Sequence, residues 1–238
     1  MTVSTRAVSY LDGQTPLTGE LHWNTSQQGK RPGILLVHGG AGLDDHAKYQ
    51  AGRYAAAGYA VFACDMFGQG VAGNRERIIE CLTSMRDDPS RLVERGMAGL
   101  AALSLCPEVD GRFAAVGFCF GGLAVLTLAR SGTRLAAAVS IHGSLATTRP
   151  AGPGSVTARV LACHGALDPH VPLQHVTEFA EEMNGAGADW KLIMFGGAMH
   201  GFTHRDAAAG ATPGVAYNAV ADEQSFAATR AFLADAIG

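Results

Sequence analysis

The feature that most constrains this chain is a cysteine set between glycines, in the sequence Gly-Phe-Cys-Phe-Gly-Gly at residues 117–122. Apolar runs at 113–116 and 123–129 flank it, so Cys119 is expected where a β-strand turns sharply into an α-helix. Glycines leave room for such a turn, which exposes the central side chain at the carboxyl edge of a sheet. The N–H groups that begin the helix then favour a thiolate. A buried structural cysteine explains the hexapeptide alone equally well, so partner residues must decide.

The rest of the chain is typical of an α/β fold. Short apolar runs alternate with amphipathic or alanine-rich stretches, as in parallel strands joined by crossover helices. We predict a mostly parallel central sheet with helices on both faces, in a single domain over residues 1–238. The predicted strands are 17–22, 34–38, 59–65, 112–118, 135–142, 159–164 and 190–195, and the predicted helices are 45–57, 75–85, 90–105, 119–131, 173–184 and 223–237.

Charge and cysteine usage exclude several classes of function. The net charge is -3 without a Lys/Arg run, so we expect binding neither to nucleic acid nor to an anionic membrane. The uncharged stretch between Arg112 and Arg130 is interrupted by glycines, and two buried elements in series explain it better than a membrane span. Residues 1–13 contain no secretory signal, and the five cysteines lack CxxC spacing. We therefore expect a cytoplasmic protein with free thiols and no zinc.

Two further strand ends supply partners for the cysteine. Asp168 follows the strand at 159–164 in a tight turn, and His200 lies in a glycine-rich loop after the strand at 190–195. A thiol nucleophile needs a base to take its proton and an acid to orient that base. The order Cys119, Asp168, His200 matches the chain order of α/β-hydrolase triads, so the sequence predicts that fold and this triad.

An oxyanion hole is expected beside the cysteine. One donor in this architecture is the backbone N–H after the nucleophile, which here belongs to Phe120. The loop after an early strand, His-Gly-Gly-Ala-Gly at 38–42, supplies the other, and we predict the N–H of Gly40. We expect His38 to orient this loop beside the substrate rather than to act as a second base. His142 and Ser144 follow another strand end and are expected to border the site.

These residues resemble the dienelactone hydrolases, a cysteine-dependent branch of the α/β-hydrolase fold. The resemblance spans nearly the whole chain through four segments: GFCFGG, HGALDPHVP, GAMHGFTH and GYAVFACDMFGQG. It implies that Cys119 is the nucleophile, Asp168 the acid and His200 the base. The implied reaction is hydrolysis of a lactone or small ester through a thioester intermediate, with a small-molecule substrate and no cofactor.

The chain departs from this family's pattern at two places. Gly39 aligns with a glutamate that holds the resting thiol in better-studied members, so we expect a thiolate and imidazolium pair already in the free enzyme. Those members also bind a substrate carboxylate through arginines, one of them four residues after the histidine. His204 occupies that place here, and the following Arg205 is the predicted carboxylate ligand, with Phe202 expected to line the pocket.

Three other functions have to be weighed against hydrolysis. A Gly-x-Gly-x-x-Gly segment at 68–73 would fit a nucleotide-dependent oxidoreductase, but its first glycine does not directly follow a strand. Metal binding by His200 and His204, or by His164, Asp168, His170 and His175, is another alternative. The first pair would need a helical face, which Gly201 disfavours, and no second ligand pair is evident. A non-catalytic small-molecule binding protein on the same fold is the third alternative. No heptad pattern predicts an oligomeric state.

Overall fold

The computed structural model describes residues 2–238, which form one eight-stranded sheet flanked by six helices. The strands are β1 (Val3–Asp12), β2 (Thr15–Asn24), β3 (Arg31–Val37), β4 (Ala60–Cys64), β5 (Val109–Phe118), β6 (Ala137–Ile141), β7 (Arg159–Gly165) and β8 (Trp190–Phe195). The helices are α1 (Asp45–Ala56), α2 (Arg75–Asp87), α3 (Pro89–Ser104), α4 (Phe120–Arg130), α5 (Leu173–Gly185) and α6 (Ala219–Ile237).

The sheet has the order β1-β2-β4-β3-β5-β6-β7-β8. The pairs β1/β2 and β2/β4 are antiparallel, and every pair from β4 through β8 is parallel. The carboxyl ends of β3, β5, β6, β7 and β8 therefore meet at one edge. This is the edge at which ligands bind in open α/β sheets.

Both faces of the sheet are buried, as the apolar runs predict. In β3, Ile34 and Leu36 pack on the side of α1 and α6, whereas Leu35 and Val37 pack on the side of α2 to α5. This alternation is the two-residue period of a strand, and apolar residues occupy both phases because helices cover both faces. The prediction of a mostly parallel sheet with helices on both faces is confirmed.

The sequence prediction missed one strand and displaced many boundaries by up to four residues. The edge strand β1 was not predicted, because Val3–Asp12 mixes polar and apolar residues and contains no continuous apolar run. Helix α6 begins at Ala219 rather than 223, since the Asn218 side chain caps it by accepting the N–H of Ala221 at 3.0 Å. Strand β6 ends at Ile141, which leaves His142 outside the sheet. Among residues 2–238, the helices are too short or too polar for any of them to cross a bilayer.

Candidate active site

Cys119 occupies a sharp turn between β5 and α4. Its backbone has φ 52°, a left-handed conformation that is unusual for a residue other than glycine. The glycines around it are required by close main-chain contacts: a Cβ on Gly117 would overlap the carbonyl group of Gly121, and one on Gly121 would overlap the carbonyl oxygen of Val37. The turn therefore aims the cysteine outward from the sheet edge, with the first turn of α4 directly after it.

The three predicted partners come together in one hydrogen-bonded row. Cys119 Sγ lies 3.0 Å from His200 Nε2, and His200 Nδ1 lies 2.8 Å from Asp168 Oδ2. The Asp168 side chain is fully buried and that of His200 is largely so. A thiol, an imidazole and a carboxylate in this order can pass a proton between sulfur and nitrogen while the carboxylate holds the ring.

The loop after β7 fixes the carboxylate. Asp168 Oδ1 accepts the backbone N–H of His170 at 2.8 Å and that of Val171 at 3.3 Å, which leaves Oδ2 for His200. The main chain ties this loop to the loop after β8: Leu167 N–H donates to the carbonyl oxygen of Ala198 at 2.9 Å. A Cβ on Gly165 would come within 2.6 Å of that same oxygen, so only glycine allows the two loops to approach so closely.

A second set of main-chain bonds holds the histidine. His200 N–H donates to the carbonyl oxygen of Gly214 at 3.0 Å, and Ala216 N–H donates to the carbonyl oxygen of His200 at 3.2 Å. The segment around Val215 thus pairs with His200 as an isolated parallel bridge. The long loop between β8 and α6 therefore positions the imidazole as well as bordering the sheet edge.

The surroundings favour a charged sulfur and a charged ring. Burial would raise the pKa of the Cys119 thiol, but the hydrogen bond and charge of His200 outweigh it and lower that pKa below its usual range. Burial would likewise lower the pKa of His200, yet its hydrogen bonds to Asp168 and Cys119 raise that pKa to about 10. The pKa of Asp168 is lowered, since its hydrogen bond with His200 and the charge of that ring outweigh the effect of burial. The shifts of Cys119 and His200 both favour a thiolate and imidazolium pair over the neutral thiol and imidazole.

Two backbone N–H groups face the sulfur, and they are the ones predicted for the oxyanion hole. Hydrogen bonds from the N–H groups of Phe120 and Gly40 both help to lower the pKa of the Cys119 thiol. His38 holds the loop of Gly40 in place: its Nε2 accepts the N–H of Met66 at 3.1 Å, so its Nδ1–H donates to the carbonyl oxygen of Gly39 at 2.7 Å. His38 is fully buried, which fits the prediction that it orients this loop but keeps it from direct contact with the cavity.

A cavity of about 260 Å³ opens onto the sulfur. Its wall is mostly apolar, with one cationic side chain from α2, and consists of Gly40, Leu82, Arg86, Cys119, Phe120, Leu123, Ser144, His170, Val171 and His200. Larger hollows of about 490 and 580 Å³ lie elsewhere on the surface, but neither is lined by any residue of the hydrogen-bonded row. The small cavity is therefore the candidate substrate pocket.

Like His38, the other two predicted substrate contacts lie outside this pocket. Phe202 is fully buried behind the site, where its ring packs against those of His142 and Phe195. The Arg205 guanidinium lies 4.1 Å from the centre of the Tyr49 ring, and Arg205 does not line the cavity. Both follow His200 in a loop that turns away, since Gly201 adopts a left-handed φ of 65° directly after it.

Sequence reasoning missed five residues of the pocket wall, Leu82, Arg86, Leu123, His170 and Val171. Arg86 is the one among them with a permanent charge. It belongs to α2, which packs over the sheet edge from a part of the chain far from Cys119. The sequence of α2 gave no signal for Arg86, because the inward face of an amphipathic helix is expected to be apolar. The arginine that lines the cavity is thus Arg86 rather than Arg205.

Two of the alternative functions, nucleotide binding at residues 68–73 and metal binding, each require a particular local structure. Residues 68–73 form turns between β4 and α2, and residues 65–67 separate the first glycine from the strand. Among the described residues, no three histidine, cysteine or acidic side chains are grouped so that they could hold a metal ion.

The sheet order and the sharp turn at Cys119 define the α/β-hydrolase fold. Within that fold, the chain belongs to the dienelactone hydrolase family, whose family model matches residues 20–237. The resemblance noted from the sequence is confirmed, and family membership makes the chain a hydrolase.

Three relatives illustrate this membership. A solved structure of a dienelactone hydrolase-like promiscuous phosphotriesterase, P91 from metagenomic libraries, is 36% identical and superimposes with a TM-score of 0.92 over 100% of both chains. An uncharacterized protein of Caenorhabditis elegans is 37% identical over 160 residues, which cover 63% of this chain and 97% of that protein. A candidate carboxymethylenebutenolidase of Yersinia pestis is 28% identical over 185 residues, or 73% of this chain and 69% of the relative.

Proposed function

We propose that the protein hydrolyses a lactone or small carboxylic ester, with Cys119 as nucleophile, His200 as general base and acid, and Asp168 as the group that orients His200. The observation that carries this proposal is the row of short contacts, 3.0 Å from Sγ to Nε2 and 2.8 Å from Nδ1 to Oδ2, at the floor of a cavity. Membership of the dienelactone hydrolase family supports it.

In the first step, the Cys119 thiolate attacks the carbonyl carbon and forms a carbon–sulfur bond. The carbonyl electrons move onto oxygen, where the N–H groups of Phe120 and Gly40 stabilise the charge. The tetrahedral intermediate collapses and breaks the bond to the leaving oxygen, which takes the proton from His200 Nε2. The product of this step is a thioester; in a lactone, the alcohol stays attached to the acyl group.

In the second step, His200 acts as a base. The hydrogen bond and charge of Cys119 are two of the causes that raise the pKa of His200 to about 10, and both vanish when the sulfur is acylated. The ring can then take a proton from water, and the resulting hydroxide attacks the thioester carbon. The carbon–sulfur bond breaks, the acid product leaves, and the thiolate and imidazolium pair is restored.

The pocket supports a small, largely apolar substrate. A cavity of about 260 Å³ with Leu82, Leu123 and Val171 in its wall fits a short acyl group or a small ring. Arg86 adds a positive charge at the same wall, so we propose that it favours substrates with an anionic group.

The proposal is tested by turnover of p-nitrophenyl acetate by the wild type, Cys119→Ala and Cys163→Ala. Cys163 is a buried thiol within β7 and is the matched control. We expect Cys119→Ala to lose activity by more than about a thousandfold, while Cys163→Ala retains it. Mass spectrometry of quenched wild-type reactions should find the acyl group on the peptide that contains Cys119. Equal turnover by all three proteins would contradict the proposal and favour a binding protein.

Hydrolysis of phosphotriesters is a second candidate, because the relative described as a promiscuous phosphotriesterase is 36% identical over the full length of both chains. The same thiolate would form a sulfur–phosphorus bond and expel an aryloxide, while Phe120 and Gly40 face the phosphoryl oxygen. Release of p-nitrophenol from paraoxon by the wild type but not by Cys119→Ala would support this activity. No release by the wild type would exclude it for that substrate.

A further inference from the structure

His142, Thr203 and His46 form a buried chain of hydrogen bonds behind the Cys119 turn. Cys119 N lies 3.1 Å from His142 Nδ1, His142 Nε2 lies 2.8 Å from Thr203 Oγ1, and Thr203 Oγ1 lies 3.0 Å from His46 Nε2. His142 and Thr203 are almost completely buried. The chain joins four separate parts of the fold: the β5–α4 turn, the end of β6, the loop that carries His200, and α1.

The backbone amide fixes the directions of the first two hydrogen bonds, and a contact of Gln50 supports the direction of the third. A backbone amide can only donate, so Nδ1 of His142 is an acceptor and its proton lies on Nε2. That N–H donates to the Thr203 hydroxyl, whose own proton is then free for His46 Nε2. The side chain amide of Gln50, a donor 3.5 Å from the same nitrogen, agrees with an unprotonated Nε2 in His46.

Satisfying a buried donor does not explain His142. The Cys119 N–H already has a partner, the carbonyl oxygen of Ile141 at 3.0 Å, and it shares this bond with His142. Of the non-glycine residues in the described chain, only Cys119 and His142 have a positive φ, at 52° and 42°. A left-handed backbone is strained in histidine, and such strain is retained where the geometry serves a site.

The same ring also contacts the base. The His142 ring lies 5.5 Å from the His200 ring in an edge-to-face arrangement, and Thr203 follows His200 by three residues in the same loop. The His142 side chain thus contacts the backbone of Cys119, the imidazole ring of His200 and, through Thr203, the loop that carries His200. Burial, and then the positive charge of His200, lower the pKa of His142, so the ring stays neutral and does not repel the imidazolium.

We propose that His142, locked by Thr203 and His46, is a positioning residue that holds the Cys119 turn and the His200 loop at the separation needed for proton transfer between sulfur and nitrogen. This inference rests on the proposed function for its catalytic consequence. Its effect on the reactivity of the sulfur needs no substrate, and a displacement of about 1 Å is enough to cost about a hundredfold in rate.

The test compares Thr203→Val with Thr203→Ser. Valine keeps the shape of threonine but breaks the chain, whereas serine keeps the hydroxyl. We expect Thr203→Val to lower kcat for p-nitrophenyl acetate, and the rate of Cys119 alkylation by iodoacetamide, by about tenfold with KM within about twofold. Thr203→Ser should stay within about threefold of the wild type in both. Thr177→Val, on the exposed face of α5, controls for the loss of a threonine hydroxyl.

Equal rates for Thr203→Val and the wild type would overturn the inference, and so would a loss in Thr203→Ser as large as in Thr203→Val. If Thr203→Val does not fold, as judged by circular dichroism, His142→Asn replaces it. Asparagine tolerates a positive φ and keeps an acceptor near Nδ1, but it loses the N–H to Thr203, so the same tenfold decrease is expected. Alkylation still reports the effect if the ester proves not to be a substrate, which separates failure of this inference from failure of the proposed function.

Discussion

Cys119 and Cys163 show how differently two regions of one sheet treat the same side chain. Both thiols lie near the carboxyl edge, and burial raises the pKa of each. Cys163, inside β7, has only the Thr229 hydroxyl to oppose that effect, and its pKa rises to about 12. Cys119 has His200 and two N–H groups, and its pKa falls below the usual range. Partners at a strand end, rather than exposure alone, make a thiol reactive.

The largest expected effect comes from weakening the partner of Cys119. In Asp168→Asn the hydrogen bond and charge that raise the pKa of His200 are lost, so that pKa should fall from about 10. The imidazolium that stabilises the thiolate is then less populated at pH 7, and hydrolysis should decrease on the order of a thousandfold. Alkylation of Cys119 should need a higher pH than in the wild type. An unchanged pH profile would mean that His200 does not control the thiol.

The next effect concerns the two thiols directly. Because its pKa is lowered, Cys119 should carry a larger thiolate fraction near neutral pH than a free thiol, whereas a thiol with a pKa of about 12 is roughly one part in 10⁵ thiolate at pH 7. We expect iodoacetamide to modify Cys119 at least about a hundredfold faster than Cys163. Peptide mass spectrometry over a time course measures both, with N-acetylcysteine as the free-thiol standard. If Cys119 is alkylated no faster than N-acetylcysteine, then Cys119 and His200 are not a thiolate and imidazolium pair in the free enzyme.

The smallest effect concerns the wall above the reactive thiol. Arg86 lines the cavity but is exposed to solvent, so its contribution to binding an anionic substrate should be modest. We expect Arg86→Gln to raise KM for a carboxylate-bearing dienelactone by about tenfold and to leave a neutral ester unchanged. Arg205→Gln is the matched control and should change neither. A larger effect in Arg205→Gln would restore the sequence-based prediction for that residue.

The sequence predicted the parts of the site that belong to strand ends. Cys119, Asp168 and His200 could be predicted because each follows an apolar run, and the parallel order of β5, β7 and β8 brings those ends to one edge. Strand β1 could not be found by the same signal. It is an edge strand that is only partly buried by the rest of the protein, so its sequence has no continuous apolar run.

Side chains that reach the site across the fold were harder to predict. Arg86 enters from α2, whose packing over the edge depends on tertiary contacts that no local pattern encodes. Arg205 and Phe202 were placed near the substrate by their distance from His200 along the chain, but the turn at Gly201 sends them elsewhere. His142 was expected to border the site, and its role behind Cys119 depends on a left-handed backbone that the residue type does not reveal.

The close main-chain contact at Gly165 has a consequence for how this enzyme can diversify. Acid and base are locked together by backbone atoms of two adjacent loops, whereas Leu82 and Arg86 belong to α2, a helix with a single fully buried side chain. The reactive groups and the selective surface are thus carried by independently variable segments. We expect mutational libraries confined to α2 to change substrate preference without lowering the rate of bond cleavage. This separation is well suited to directed evolution.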